Sequence, residues 1–242
     1  MIKYLTAILL LIPAYAHSFE CTKKIDEISK EYSISIRCKL KSKESNFSFK
    51  QASQNMIDKS ENAVVSFVSS FNKDFLNKKI NNINLVYDIK AWDSSVSGMS
   101  DGKNIWVSLD DYSDRRRDKI YLQILHHEFS SNVFKSVDWV TRIQWRDINY
   151  AYDLSWSYLK KCLSEFKFAE ETTEAILKNG FLKNYSLTND ENDFNIYAEY
   201  VFTDIQTINE LKNKYPLIKT KLEKFKQFYR ETGFIGKFPD ET

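Results

Sequence analysis

Three histidines occur in the 242-residue chain, and two of them, His126 and His127, stand side by side ahead of Glu128. Imidazole and carboxylate in one short run can share a proton, or they can hold a metal ion whose bound water becomes a nucleophile. The run sits in a stretch that is apolar nearly all round, with Ile120, Ile124, Leu125, Phe129 and Val133 covering several directions of a helix. A helix of that kind is buried. Buried there, Glu128 and the two histidines must be paired, neutralised or bound to metal, because an unpaired buried charge is costly. A purely structural arrangement satisfies the same constraint: His126 and His127 as hydrogen-bonded core residues, with Glu128 paired to Arg115, Arg116, Arg117 or Arg142.

A second acidic position lies downstream in Asn192-Asp193-Phe194-Asn195-Ile196-Tyr197-Ala198-Glu199-Tyr200-Val201-Phe202. Phe194, Ala198, Val201 and Ile205 fall at helical spacing, and Glu199 stands at the edge of that stripe, where a carboxylate can turn inward. Thr188 and Glu191 have the spacing of a capping box that would start this helix.

His127-Glu128-Phe129-Ser130-Ser131 resembles the H-E-x-x-H helix of zinc metallopeptidases, with Ser131 where the second histidine belongs. In that motif two histidines one turn apart grip zinc and the glutamate polarises the metal-bound water. The Glu199 segment resembles the second helix of gluzincins, where an acidic residue in an Ala-Glu context is the third ligand. The strand expected at Asn104–Leu109 resembles the edge strand that lies along the substrate in such enzymes, and Tyr215 through Tyr229 resembles a closing helix. The likeness spans roughly Leu85 to Tyr229. It implies a zinc cofactor held by His127 and Glu199, with Glu128 as the catalytic general base acting on a peptide or protein substrate. Ser131 departs from the pattern, since a neutral hydroxyl is a poor zinc ligand. Three arrangements follow. His126 completes the site, although it projects about 100° away from His127 around the helix; a water held by Ser131 does so; or the metal is lost and the scaffold binds without catalysis. The functions to weigh are therefore an exported zinc-dependent peptidase, a non-catalytic extracytoplasmic binding protein on a degenerate peptidase scaffold, and a structural factor with no metal.

The elements that must position these residues follow from periodicity. Few glycines and prolines in so long a chain argue for long helices. Met56, Val64, Phe67, Val68, Phe71 and Phe75 predict an amphipathic helix over about 52–77. Strands are expected at Asn84–Ile89 and Asn104–Leu109, separated by a Ser/Asp/Gly-rich turn from Asp93 to Gly102, and the chain beyond Asp114 reads as helical. Alternation in Tyr32-Ser33-Ile34-Ser35-Ile36-Arg37-Cys38 predicts a small β hairpin. The fold class is thus α+β, a small sheet followed by a mostly helical zincin-like domain. Its divisions are a signal peptide over 1–16, the hairpin region over 17–50 and the zincin-like domain over 51–242.

Lys3, the apolar run Leu5 to Pro13 and Ala14-Tyr15-Ala16 have the layout of a cleavable secretory signal. The run is half the roughly 20 residues that span a bilayer, so the expected place is secreted or periplasmic with no membrane insertion after cleavage. An oxidising compartment would let Cys21 and Cys38 pair and pin the hairpin. Cys162, with no histidine near it in sequence, reads as a small buried hydrophobe. The formal charge of +2 is made of interspersed signs and gives no case for nucleic acid. His17 would be the mature N-terminus, where amine and imidazole can chelate copper, but nothing brings it to His126 or His127. Trp139, Trp145, Tyr150, Tyr152, Trp156 and Tyr158 are spaced for core packing. Arg115-Arg116-Arg117, set between Asp114 and Asp118, reads as a neutralised helix start.

Overall fold

Strand β3, Asn82–Ala91, organises the molecule. The computed structural model describes residues 20–40, 46–91, 94–150 and 172–241. The signal-like run, His17, Cys162, Tyr152, Trp156 and Tyr158 lie outside the described residues. Strand β1 (Ser35–Arg37) pairs with β3 in parallel, with Ile36 opposite Ile83. Strand β6 (Asn104–Ser108) pairs with its other side, also in parallel, in a register of Leu85 opposite Val107. Strands β2 (Ser48–Gln51) and β4 (Ser94–Val96) add antiparallel to the C-terminal half of β3. Strand β5 (Gly98–Ser100) lies antiparallel to β6 and ends the order β1-β3-β6-β5. Successive side chains of a strand face opposite ways. Ile83, Leu85, Ile105 and Val107 accordingly join the main core, while Val86 and Trp106 join Phe49 in a smaller cluster, which Ile89 also enters because Asp88, at φ 50°, breaks the alternation.

The α+β class is what the structure has, and several local expectations need correction. The N-terminal region is not a hairpin. Lys23–Tyr32 forms helix α1, capped by Thr22, whose hydroxyl accepts from the Ile25 amide at 3.3 Å, with Ile25 and Ile28 buried. The chain then turns at Ser33, in the left-handed region at φ 56°, and enters β1. The alternation marked a strand correctly, but the strand's partner is β3, 47 residues along the chain with Ile36 opposite Ile83, and core packing rather than a local turn sets that register. The Cys21–Cys38 disulfide is present and ties the start of α1 to the end of that strand segment.

The helix expected over 52–77 is two helices, α2 (Gln54–Ser69) and α3 (Lys73–Lys79). Asn72 restarts the helix by accepting from the Phe75 amide at 2.9 Å, and an Asn side chain that satisfies an orphan N–H favours a new N-terminus. The turn between the two main strands holds β4 and β5. The edge strand is therefore β5 and not Asn104–Leu109, which is interior to the sheet.

Beyond the sheet come α4 (Asp114–Ser136), α5 (Trp139–Tyr150), α6 (Glu174–Lys178), α7 (Asp190–Thr203), α8 (Ile205–Lys214) and α9 (Pro216–Glu231). Helix α4 is the central post: Leu125, His126 and every residue from Glu128 to Phe134 are buried. Its neighbours are α2, α7 and the β5–β6 end of the sheet. Trp145 is fully buried as expected, whereas Trp139 is 65 % exposed and is not a core residue. The start of α7 is capped by Asn189, which accepts from the Asn192 amide at 2.7 Å. Thr188 instead accepts from the Asn192 side chain, so the capping box with Glu191 does not form.

Candidate functional site

Two pairs of residues define the seam between α4 and α7. His127 Nδ1 and Glu199 Oε1 are 2.8 Å apart, and Asn195 Nδ2 donates to Ser131 Oγ at 2.7 Å. Each pair is one turn from the other on its own helix, and the numbers rise on α4 as they fall on α7. The helices are therefore antiparallel along this seam, which puts i and i+4 of one opposite i and i−4 of the other. The i, i+4 spacing of Asn195 and Glu199 was visible in the sequence and matches that of His127 and Ser131.

His127, Glu128, Ser131 and Glu199 all line one cleft of about 750 Å³ between β4–β5, α4 and the segment leading into α7. His126 does not. Its ring stacks on Phe202 with centroids 4.5 Å apart and meets the edge of Phe67 at 5.1 Å. Among the described residues neither ring nitrogen has a hydrogen-bond partner, and burial pushes its pKa down to about 3. His126 is a neutral core aromatic, turned away from the cleft by the rotation between adjacent helical positions.

The electrostatics centre on Glu199. Its second oxygen accepts from Lys183 Nζ at 2.5 Å. Lys183 lies just ahead of a 3-10 turn over Asn184–Leu187 and also approaches the Tyr200 ring. Burial alone would raise the Glu199 carboxyl, but the His127 hydrogen bond and the Lys183 charge outweigh it and hold the group below its usual range. Burial alone would lower His127, and here too the hydrogen bond to Glu199, with the charges of Glu128 and Glu199, wins and holds it up. The result is a carboxylate clasped between the His127 imidazole and the Lys183 ammonium. Lys183 had no signal of its own in the sequence: it is brought in from a connecting segment.

Glu128 is placed differently. Its carboxyl lies beneath Gly98 of β5, where an added Cβ would meet Oε1 at 2.6 Å. Among the described residues it has no ion pair, and Arg115, Arg116, Arg117 and Arg142 do not reach it; Arg117 pairs with Asp114. Burial pushes its pKa up to about 7. The other acid of the cleft rim, Glu191, pairs with Lys135 at 2.9 Å. Tyr185, 42 % exposed, stands over the site with its ring 5.8 Å from that of His127.

As arranged, these donors are engaged with one another and are not gathered around a point where zinc could sit. A zinc site asks for about four ligand atoms within roughly 2.3 Å of one point, with neutral imidazole and available carboxylate oxygens. Here both oxygens of Glu199 are taken by nitrogen donors, His127 Nδ1 is spent on one of them, and Ser131 is bonded to Asn195. Among the described residues no three His, Cys, Asp or Glu side chains are grouped so as to hold a metal ion.

No family model matches the chain, and no curated protein matches it. Among solved structures, the crystal structure of a putative zinc-binding metallo-peptidase from Bacteroides caccae is similar to it at 14% sequence identity, over 88% of each chain, with a TM-score of 0.48.

Proposed function

We propose that the chain is a non-catalytic binding protein that takes an extended peptide or protein segment in the α4–β5 cleft without a metal ion. The observation that carries this reading is the occupation of Glu199 by Lys183 and His127. An ammonium already supplies the positive charge that a metal would bring to this carboxylate, and a dication entering beside it would meet that charge at close range. The edge strand supports a peptide as the ligand. Among the described residues strand β5 has one hydrogen-bonded neighbour, β6, and its residues Gly98 to Ser100 line the cleft. A strand edge of this kind offers backbone donors and acceptors to an added strand. The signal-like N-terminus and the Cys21–Cys38 disulfide support an extracytoplasmic place of action. Among the described residues no helix is long and apolar enough to cross a membrane.

The catalytic alternative is favoured by one observation, the approach of Glu199 to His127 on the helix that carries Glu128. The two readings separate on metal content and on the ligand's dependence on metal. Protein purified without chelators is expected to hold no stoichiometric zinc, and its affinity for a retained peptide is expected to be the same in EDTA. One zinc per chain, lost in His127→Ala, together with peptide hydrolysis lost in Glu128→Gln, would establish the peptidase instead.

A further inference from the structure

Three carboxylates line the cleft, and two of them are committed. Glu191 is paired with Lys135 and Glu199 with Lys183 and His127, so both lysines of the cleft are also committed. Glu128 is left. It is only 9 % exposed, it has no hydrogen-bond or ionic partner among the described residues, and it lies on the wall of the cleft. The glycine above it is required by space: with any side chain at position 98, Cβ would overlap Oε1 and Cγ of Glu128 and the Ile124 side chain, all within 2.8 Å. A buried acid with no partner, on the wall of a cleft and packed against a glycine of the adjoining strand edge, is an unfilled acceptor. Tyr185 adds an aromatic face that can border a cation.

We infer that the bound segment presents a cationic nitrogen to Glu128 from the cleft side, beside Gly98, the nitrogen being either its own α-amine or a basic side chain. The inference rests on the proposed peptide-binding reading and narrows it to one chemistry. A ligand nitrogen there would give Glu128 the charge-assisted hydrogen bond it lacks, while leaving the Glu191–Lys135 and Glu199–Lys183 pairs intact. An anionic group would meet three carboxylates and two lysines already neutralised.

The test uses the full mature chain, immobilised, and three mixed-sequence hexapeptide pools. One pool has free α-amines and no Lys or Arg; one is N-acetylated and contains Lys and Arg; one is N-acetylated and contains neither. Retention is read by mass spectrometry at neutral pH for wild type and Glu128→Gln, with thermal melting to establish that the variant is folded. The expected result is about tenfold or greater enrichment of the first or second pool over the third, the scale of one hydrogen bond to a charged group. Which of the two is enriched identifies the source of the cation. Glu128→Gln is expected to abolish the enrichment while still retaining peptide, and Gly98→Ala to weaken retention of the enriched pool. Retention of the third pool as strongly as the others overturns the inference and leaves the peptide-binding reading standing. Retention of no pool overturns both.

Discussion

Two buried carboxylates in this molecule are treated in opposite ways. Asp193, on α7, is 2 % exposed and is met by Lys221 of α9 at 2.6 Å and by the Trp145 indole N–H at 2.9 Å, both on Oδ2. Lys221 is itself fully buried, with Phe181 and Trp145 rings around its ammonium. Glu128, on α4, is nearly as buried and has no such partner. Burial raises both carboxyls, Asp193 to about 6 and Glu128 to about 7; the charges of His127 and Lys135 act on Glu128 from a distance, but only Asp193 has a cation hydrogen-bonded to it. A charge that the fold needs for assembly is matched inside the fold. One that the fold leaves unmatched beside a cleft is held at a cost to stability, and such costs concentrate where a ligand can offset them.

The largest effect expected from this comparison is at the matched site. Lys221→Met should destabilise the chain by about 3–5 kcal/mol in urea unfolding, because it strands Asp193. The double variant Lys221→Met, Asp193→Leu should recover most of that loss. A loss near zero for the single variant would break the contrast, since Asp193 would then need no partner.

Glu128→Gln should act in the other direction. The folded pKa of about 7 lies above the ordinary value of 4.5, so the acid contributes stability that is full below pH 4.5 and lost as pH rises through 7. Gln mimics the protonated form. The variant should match wild type at pH 4.5 and exceed it by about 2–3 kcal/mol at pH 8, read from unfolding curves across that range. A pH-independent difference would mean that Glu128 is not held as an unpaired acid.

Lys183→Met sharpens the distinction within the cleft. Lys183 is about one-third exposed, so the loss of its pair with Glu199 should cost about 1 kcal/mol. Calorimetric titration should then detect zinc binding that is absent in wild type, because removing the ammonium frees one oxygen of Glu199. Zinc binding equal in both proteins would remove Lys183 as the reason the site does not fit metal.

The smallest effect is expected at His126. Its folded pKa of about 3 lies below the ordinary 6.5, so its contribution is present above pH 6.5 and lost as pH falls toward 3. His126→Phe should change stability by about 0.5 kcal/mol or less at pH 7, given its place among Phe67, Phe71 and Phe202. The variant should resist acid unfolding better than wild type. His127 has the opposite sign, its pKa being held up by Glu199, so stability from that pair is present below 6.5 and fades at higher pH.

Much of this was legible in the chain itself. The all-round apolar character of Ile120 to Val133 required a buried helix, and α4 is the central helix of the fold. The period of Phe194, Ala198 and Val201 placed Glu199 on an inward-facing helix. The disulfide followed from two cysteines in one segment. Local alternation at Ile34, Ile36 and Cys38 marked a strand but carried nothing about its partner, since parallel pairing joins residues far apart in sequence and is set by shared core packing. The same limit hid β5, three residues long, whose position at the sheet edge depends on its register with β6.

What the sequence determined by itself was local: which stretches are helical, which faces are apolar, and that a glutamate and two histidines would be carried into the interior on one helix. Periodicity and burial cost decide these, and both can be read one segment at a time. The partners of the charged groups were decided only by the tertiary structure. Lys183 reaches Glu199 from a connecting segment, His126 turns into a nest of phenylalanines, and Glu128 is left facing Gly98. Electrostatic pairing depends on distances of a few ångströms between segments remote in the chain, and no spacing along the sequence encodes those.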